Sequence, residues 1–507
     1  FKQKTAYEIM PSLVGSEMCI RDRLRKHRTL PIPFVLSIIG FGAFVTALDQ
    51  TVVVTALPQV MLDLRVPISD LDRVSWIITA YLLGYTVAMP VIGRLGDVYG
   101  YVRVYQVSLL IFCIGTSLVA VSSNLEWMVG ARVVQSIGGG AAVPIGMALA
   151  TTMVSDSQRG FALGIVGASA EAGSMLGPVY GGAIVEALNW RWIFWLNIPQ
   201  SMVIFLALFW LPNQSRMEDK VDYLGGVILV GMLLMFSLAL SIGGLFTFDS
   251  LYPFVFLVVG VGLMVFLVMV EARVYQPLLA PVLFRSWAFL TANATQVLVG
   301  VALVIAMVTV PFMANTIMGK SSFTGGLWLL RLTGAISIGA VIGGLLVNRV
   351  GSRLLTVVGL GLVALGMFLV SGWDLDVGDP ELTMHLMVAG FGFGLVVAPI
   401  ALHAIGSAGD DYRSTAASLV VVSRVMGMTF GMAGLSAWGM DHFQVLTSGL
   451  EFSLVHPGEA TGVFQSRLTE YSANVNFASL QLFQQFFFVA AIISIIAMVP
   501  ALGMKRR

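Results

Sequence analysis

Five charged side chains stand in stretches that are otherwise apolar or small. Asp49 lies in "FVTALDQTVVVTALP" (44–58), Arg132 in "ARVVQSIGGGAAVP" (131–144) and Glu171 in "ASAEAGSMLGPVYGG" (168–182). Arg331 lies in "GGLWLLRLTG" (325–334) and Arg424 in "VVVSRVMGM" (420–428). A carboxylate can take up and release a proton, and an arginine is a fixed cation that can hold it or bind an anionic group. In hydrocarbon an unpaired charge costs at least ~2.5–3.5 kcal/mol, so such residues mark partners, cavities or ion pathways. Desolvation raises a carboxylate's pKa and a nearby arginine lowers it, so a site balanced between the two can change protonation when its exposure changes.

The elements that must position these groups are membrane spans. The 507 residues are 57% hydrophobic and 11% charged, with a mean hydropathy of +0.90. Soluble domains carry roughly a quarter charged residues. Apolar runs of spanning length fall at about 33–57, 74–93, 102–122, 126–150, 160–185, 190–211, 221–245, 252–271, 288–313, 324–347, 354–371, 383–405, 415–439 and 480–503. That pattern predicts an all-α polytopic membrane protein with fourteen transmembrane helices and both termini on one side. With the N-terminus inside, sixteen basic residues face the cytoplasm and five face outward, so the positive-inside rule places both termini in the cytoplasm. The expected location is the cytoplasmic membrane. The stretch 440–479 is expected to form a short surface structure on the outer side.

Asp49 is then about eight residues inside the outer end of the first span, ~12 Å at 1.5 Å per residue, and Arg132 about six inside that of the fourth, ~9 Å. Charges at nearly equal depth can face each other, as a proton site or as a static pair holding two spans together. Glu171 sits near the middle of the fifth span, beyond snorkelling reach of either end. It is expected to face a water-filled cavity, binding a cationic substrate or carrying a proton. Arg331 and Arg424 are candidate cavity charges, binding anionic groups or pairing with carboxylates and helix C-termini. Gly173, Gly177 and Gly181 recur every four residues, so one face of the fifth span is nearly bare backbone and can pack closely, with Pro178 allowing a bend. That face is expected between the two halves of the molecule.

"GRLGDVYG" (93–100) and "GLLVNRVG" (344–351) both place a glycine seven residues before a glycine on a turn between two spans. Aligning them makes spans 9–14 a copy of spans 1–6, giving two six-helix halves, 33–211 and 288–503, with two inserted helices at 221–272. Such repeats place a binding site between halves near the midplane. Asp97, on the first turn, is expected to control gating by docking on a helix N-terminus or an arginine of the other half.

Four stretches carry a resemblance to the major facilitator superfamily, specifically its fourteen-helix drug:proton antiporter branch. "LDQTVVVTALP" (48–58) is similar to that branch's first-helix signature. "GRLGDVYGYVR" (93–103) is similar to the loop signature through Gly93, Leu95, Asp97, Gly100 and Arg103. Arg132, Gln135 and the following glycines resemble the fourth-helix signature. "GSMLGPVYGGAI" (173–184), with Gly173, Gly177, Pro178, Gly181 and Gly182, resembles the antiporter signature of the fifth. Val54 stands where the branch usually has Asn, and Val98, Tyr101 and Val102 replace residues that are often basic. The resemblance implies alternating access and export of small amphipathic compounds, with the proton gradient as energy source and no cofactor. An exporter of an endogenous metabolite, such as an amino acid, a siderophore or a lipid precursor, is the alternative on the same fold.

Other classes find little support. The chain shows no nucleophile–base pair or soluble catalytic domain, so it is not read as an enzyme. The histidines (27, 385, 403, 442, 456) lack ligand spacing, and no metal or nucleic-acid partner is expected. The partners are the bilayer, protons and substrate, with the chain acting as a monomer. "LVGSEMCIRDR" (13–23) reads as translated sequencing-adapter DNA, so residues 1–23 are expected to be non-native, ahead of a tail at 24–32. Setting them aside leaves 24 basic and 24 acidic residues and one cysteine, Cys113.

Overall fold

The computed structural model describes residues 31–66, 71–212, 222–241, 251–274, 281–320, 322–450 and 461–504. The adapter-like segment lies outside them. The first half consists of α1 (Ile32–Asp63), α2 (Leu71–Tyr99), α3 (Tyr101–Ala120), α4 (Leu125–Gly139), α5 (Ala142–Met153), α6 (Arg159–Ala187) and α7 (Arg191–Leu208). Two further helices follow, α8 (Tyr223–Ser241) and α9 (Tyr252–Glu271), packed on each other. A short α10 (Pro281–Arg285) leads into the second half: α11 (Trp287–Thr316), α12 (Ser322–Val350), α13 (Ser352–Ser371), α14 (Glu381–Ser407), α15 (Arg413–Thr447) and α16 (Thr461–Leu502). Among the described residues twelve segments are long and apolar enough to cross a membrane, α4 and α5 counting as one. The glycine-rich α6 and the shorter apolar α8 are not among those twelve. The fold is therefore an all-helical, multi-pass membrane bundle.

Each half has its own apolar core. Phe289, Trp328, Trp373 and Phe487 anchor one, and Ile39, Tyr105, Ile145 and Val166 the other. Within the first half α1 lies along α6, and in the second α14 lies along α12 and α13. Contact between halves runs mainly through α6 with α12 and α2 with α15. The end of the bundle carrying Arg94, Arg103 and Arg349 is called the basic end below.

Local sequence explains the departures from expectation. The fourth span is two helices: after Gly138, Gly139 and Gly140 the chain breaks, and α5 restarts at Ala142. Consecutive glycines weaken a helix, at up to ~1 kcal/mol each relative to Ala. Here they also let α4 touch α3, since a Cβ on Gly138 would meet the Phe112 backbone nitrogen at 2.3 Å. The 440–479 stretch is not a separate surface structure where described. α15 runs on to Thr447 and α16 begins at Thr461, because "VFQSRLTEYSANVNFASL" (463–480) holds no Pro or Gly to stop a helix.

The two aligned turns share a conformation that few residues adopt. Gly100 has φ 93° and Gly351 φ 91°, each the residue before the next helix, α3 and α13. A side chain there would be strained, which is why glycine closes both copies of the motif.

Candidate functional site

Asp49 and Arg132 meet. Arg132 Nη1 donates to Asp49 Oδ2 at 3.0 Å, and both side chains are fully buried. Asp49 lies further from the end of its helix than the apolar run implies, because α1 runs on to Asp63, ~21 Å past Asp49 at 1.5 Å per residue. Gln135, one turn along α4, places Oε1 2.7 Å from Arg132 Nη1 as acceptor and donates through Nε2 to Asp49 Oδ1 at 3.0 Å. The same Nε2 lies 2.8 Å from Thr116 Oγ1 on α3. Asn197 on α7 donates to Asp49 Oδ1 at 2.5 Å. Arg132 Nε reaches the Ile77 carbonyl of α2, and the guanidinium stacks 4.0 Å from the centre of the Tyr81 ring. Five helices of one half thus close around a carboxylate.

Sequence reasoning did not find Asn197, Thr116 or Tyr81. The one signal for Asn197 was an amide within the apolar run "IFWLNI" (193–198). Tyr81 and Thr116 had none, since both residue types are common in spans.

Glu171 is also paired. It is buried midway along α6, and its Oε1 accepts from Arg424 Nη2 on α15, across the boundary between halves. Two of the five singled-out charges, placed separately by sequence, therefore form one ion pair. Arg424 keeps partial exposure (21%), so the pair is less sealed than Asp49–Arg132. Arg331 is not drawn into this group. It forks onto Asp379 at 2.7 and 3.1 Å and reaches Thr383 at 2.8 Å, at the end opposite the basic one. The Thr383 hydroxyl first, and then Arg331, hold the Asp379 carboxyl below the usual carboxylate range, against a smaller opposing desolvation.

The glycine face of α6 is where close packing occurs, but against a different neighbour from the one expected. Cβ atoms on Gly173, Gly177 and Gly181 would meet the Phe44, Leu48 and Val52 carbonyls of α1 at 2.3, 3.0 and 2.6 Å. This face packs within the first half. The face that meets the second half is formed by Gly160 and Gly164, whose Cβ atoms would meet the Gly344 and Ala340 carbonyls of α12 at 2.7 and 2.5 Å. Gly182 touches neither, with nothing within 4 Å of its Cβ position. Pro178 stays inside α6 and has no N–H to give the Ser174 carbonyl four residues back. Thr51 Oγ1 of α1 donates to that carbonyl at 3.0 Å. Two of the sequence motifs thus meet at one hydrogen bond.

Asp97 docks on a helix N-terminus of the other half. Oδ1 accepts from Ser414 N at 2.9 Å and Tyr101 OH at 3.0 Å; Oδ2 accepts from Thr415 N at 2.9 Å and its hydroxyl at 2.7 Å. These are the first turns of α15, where unsatisfied N–H groups favour an anion. Gly93 lets α2 approach, since its Cβ would lie 3.0 Å from the Ser414 carbonyl. In the second copy Asn348 donates to the Ser157 carbonyl just before α6. Gly100 supplies the turn, while Arg103 is exposed and lies outside this dock. Among the described residues no group of three or more His, Cys, Asp or Glu could hold a metal.

Comparison with known proteins agrees with this geometry. The profile of the Major Facilitator Superfamily matches residues 39–432. A triacylglyceride transporter of Mycolicibacterium smegmatis is 33% identical over 475 residues, 89% of this chain and 83% of its own. One from Mycobacteroides abscessus is 34% identical, covering 82% of this chain and 84% of its own. One from Mycobacterium tuberculosis is 32% identical over 91% and 92%. Among solved structures the proton:xylose symporter XylE aligns with a TM-score of 0.59 at 13% identity, over 91% of this chain and 94% of its own, which speaks to fold alone. A multi-pass helical bundle, a repeat that docks each half on the other and a matching profile have one reading: the chain belongs to the Major Facilitator Superfamily and is a membrane transporter, not an enzyme.

Proposed function

We propose that this transporter exports an endogenous apolar lipid of the triacylglyceride class, coupled to proton entry by antiport. It would work by alternating access between α1–α7 and α11–α16. In this reading α6 and α8 also cross the membrane, making fourteen crossings, with the basic end cytoplasmic. The observation that carries the substrate class is identity of about a third, along most of both chains, with proteins named triacylglyceride transporters. Export of amphipathic drugs, which the fifth-span motif suggested, becomes the second reading, because the named relatives favour the lipid alternative.

The coupling step is assigned to Glu171. Its ion pair with Arg424 ties the two halves at mid-helix. A proton on Glu171 removes the charge that holds Arg424, and the link weakens. Asp49 is retained as a second proton site, sealed among Arg132, Gln135 and Asn197 until the first half rearranges. Asp97 on α15 holds the basic end shut, and losing that dock opens it. Arg331, on Asp379, is assigned no part in coupling.

The test uses proteoliposomes containing labelled triolein. An imposed proton gradient should drive its transfer to an acceptor, and adding the lipid should release protons. Transfer of a cationic dye but never of triolein, at equal protein, would return the assignment to drug efflux.

A further inference from the structure

Away from the boundary between halves, a cavity of about 930 Å³ opens on the membrane-facing side of the first half. Its walls are α2, α3, α4 and α8. The floor is deep because Ala80, Gly84 and Ala88 recur every fourth residue along α2, so little side chain fills the space. The far wall exists because α8 rests on α2 through Leu229 and Leu233 beside Tyr85 and Met89, with the Tyr99 and Tyr223 hydroxyls 3.3 Å apart. The groove runs from Trp76 to Tyr99 along α2, ~35 Å at 1.5 Å per residue, about the thickness of a bilayer's hydrocarbon core. Trp76 and Tyr99 are half-exposed at its two ends, where interfacial aromatics belong.

Apart from Ser108 on α3, the lining is apolar until the basic end. There Arg103 is exposed at the mouth, and among the described residues no carboxylate forms a salt bridge with it. A long apolar groove in a bilayer is filled by acyl chains, because leaving it empty forfeits dispersion contacts along its length. A fixed cation at one mouth selects the headgroup that accompanies those chains.

We propose that this groove is a binding site for one anionic phospholipid, its acyl chains between α3, α4 and α8 and its phosphate on Arg103. The site is separate from the transport pathway and does not depend on the substrate assignment. Bound there, the lipid ties the inserted helix α8 to the first half and sits beside the 93–103 turn.

The test is native mass spectrometry of the purified full chain, titrated with phosphatidylglycerol or phosphatidylcholine of identical acyl chains. The wild type should retain one phosphatidylglycerol, preferred about fivefold, as one basic residue near an anionic headgroup implies. Arg103→Gln should lose the preference while still holding either lipid. Val107→Trp and Val133→Trp, each tested alone at a half-exposed lining position, should lose the bound lipid without a change in Tm. Preference surviving in Arg103→Gln, or occupancy unchanged in both tryptophan variants, would overturn the site. So would displacement of the phospholipid by equimolar triolein, which would make the groove part of the substrate path.

Discussion

At the scale of residues, the buried carboxylates Asp49 and Glu171 are held in different ways, and that difference predicts different phenotypes. Asp49 is closed off and takes hydrogen bonds from Arg132, Gln135 and Asn197. Removing one partner of a buried pair typically costs ~3–5 kcal/mol. Arg132 keeps a bond to Gln135 when Asp49 is lost, so Asp49→Asn should fall at the lower end of that range. The double change Asp49→Asn with Arg132→Gln should recover most of the stability but not uphill transport. Thermal unfolding and flux on all four members of this cycle separate the two roles, and recovery of both would make the pair purely structural. Glu171→Gln should lower Tm less, because Arg424 is partly open to solvent, while abolishing gradient-driven transport. The sequence displayed these five charges, because ionised groups in apolar runs are conspicuous. It could not show that Glu171 and Arg424 share a bond, since that depends on how α6 and α15 cross. Asn197 and Thr116 were hidden for a similar reason: a single amide or hydroxyl in a span has no intrinsic direction.

At the scale of elements, α6 uses two glycine faces for two purposes. Gly173, Gly177 and Gly181 seat it on α1, while Gly160 and Gly164 seat it on α12. Glycine spacing made close packing legible, but the choice of neighbour was not, because a bare face fits any helix with small relief. The Thr51–Ser174 bond offers a direct test of how Pro178 is accommodated. Thr51→Val should cost ~1–3 kcal/mol by leaving a partly buried carbonyl without a donor. With Pro178→Ala in place, the restored N–H can reach that carbonyl, so the same Thr51→Val change should cost roughly 1 kcal/mol less. Equal penalties in both backgrounds, read from chemical unfolding, would show that Thr51 does not serve the freed carbonyl. Helix limits were the least readable feature. The extents of α15 and α16 past the apolar runs follow from the lack of breakers, whereas the expectation for 440–479 was drawn from polarity alone.

At the scale of the whole molecule, two related turns dock each half on the other, Asp97 on the start of α15 and Asn348 on the Ser157 carbonyl just before α6. The repeat was visible in the spacing of Gly93–Gly100 and Gly344–Gly351, and the matching positive φ values are its structural counterpart. Its asymmetry follows from chemistry: a carboxylate accepts from free N–H groups, and an amide can donate to a carbonyl. Asp97→Ala should therefore loosen the basic end. In a chain with Cys19 and Cys113 replaced by serine, a cysteine at Val347, buried where α12 meets α6, should react several-fold faster with a maleimide once Asp97 is removed; an unchanged rate would separate Asp97 from gating. The central claim is that lipid export is driven by protons through Glu171 between the halves. The most direct measurement is gradient-driven triolein transfer by wild type and Glu171→Gln in matched proteoliposomes, with folding checked by Tm. Transfer should follow the imposed proton gradient in the wild type and be lost in the folded variant. Transfer that ignores the gradient, or that survives intact in Glu171→Gln, would contradict the claim.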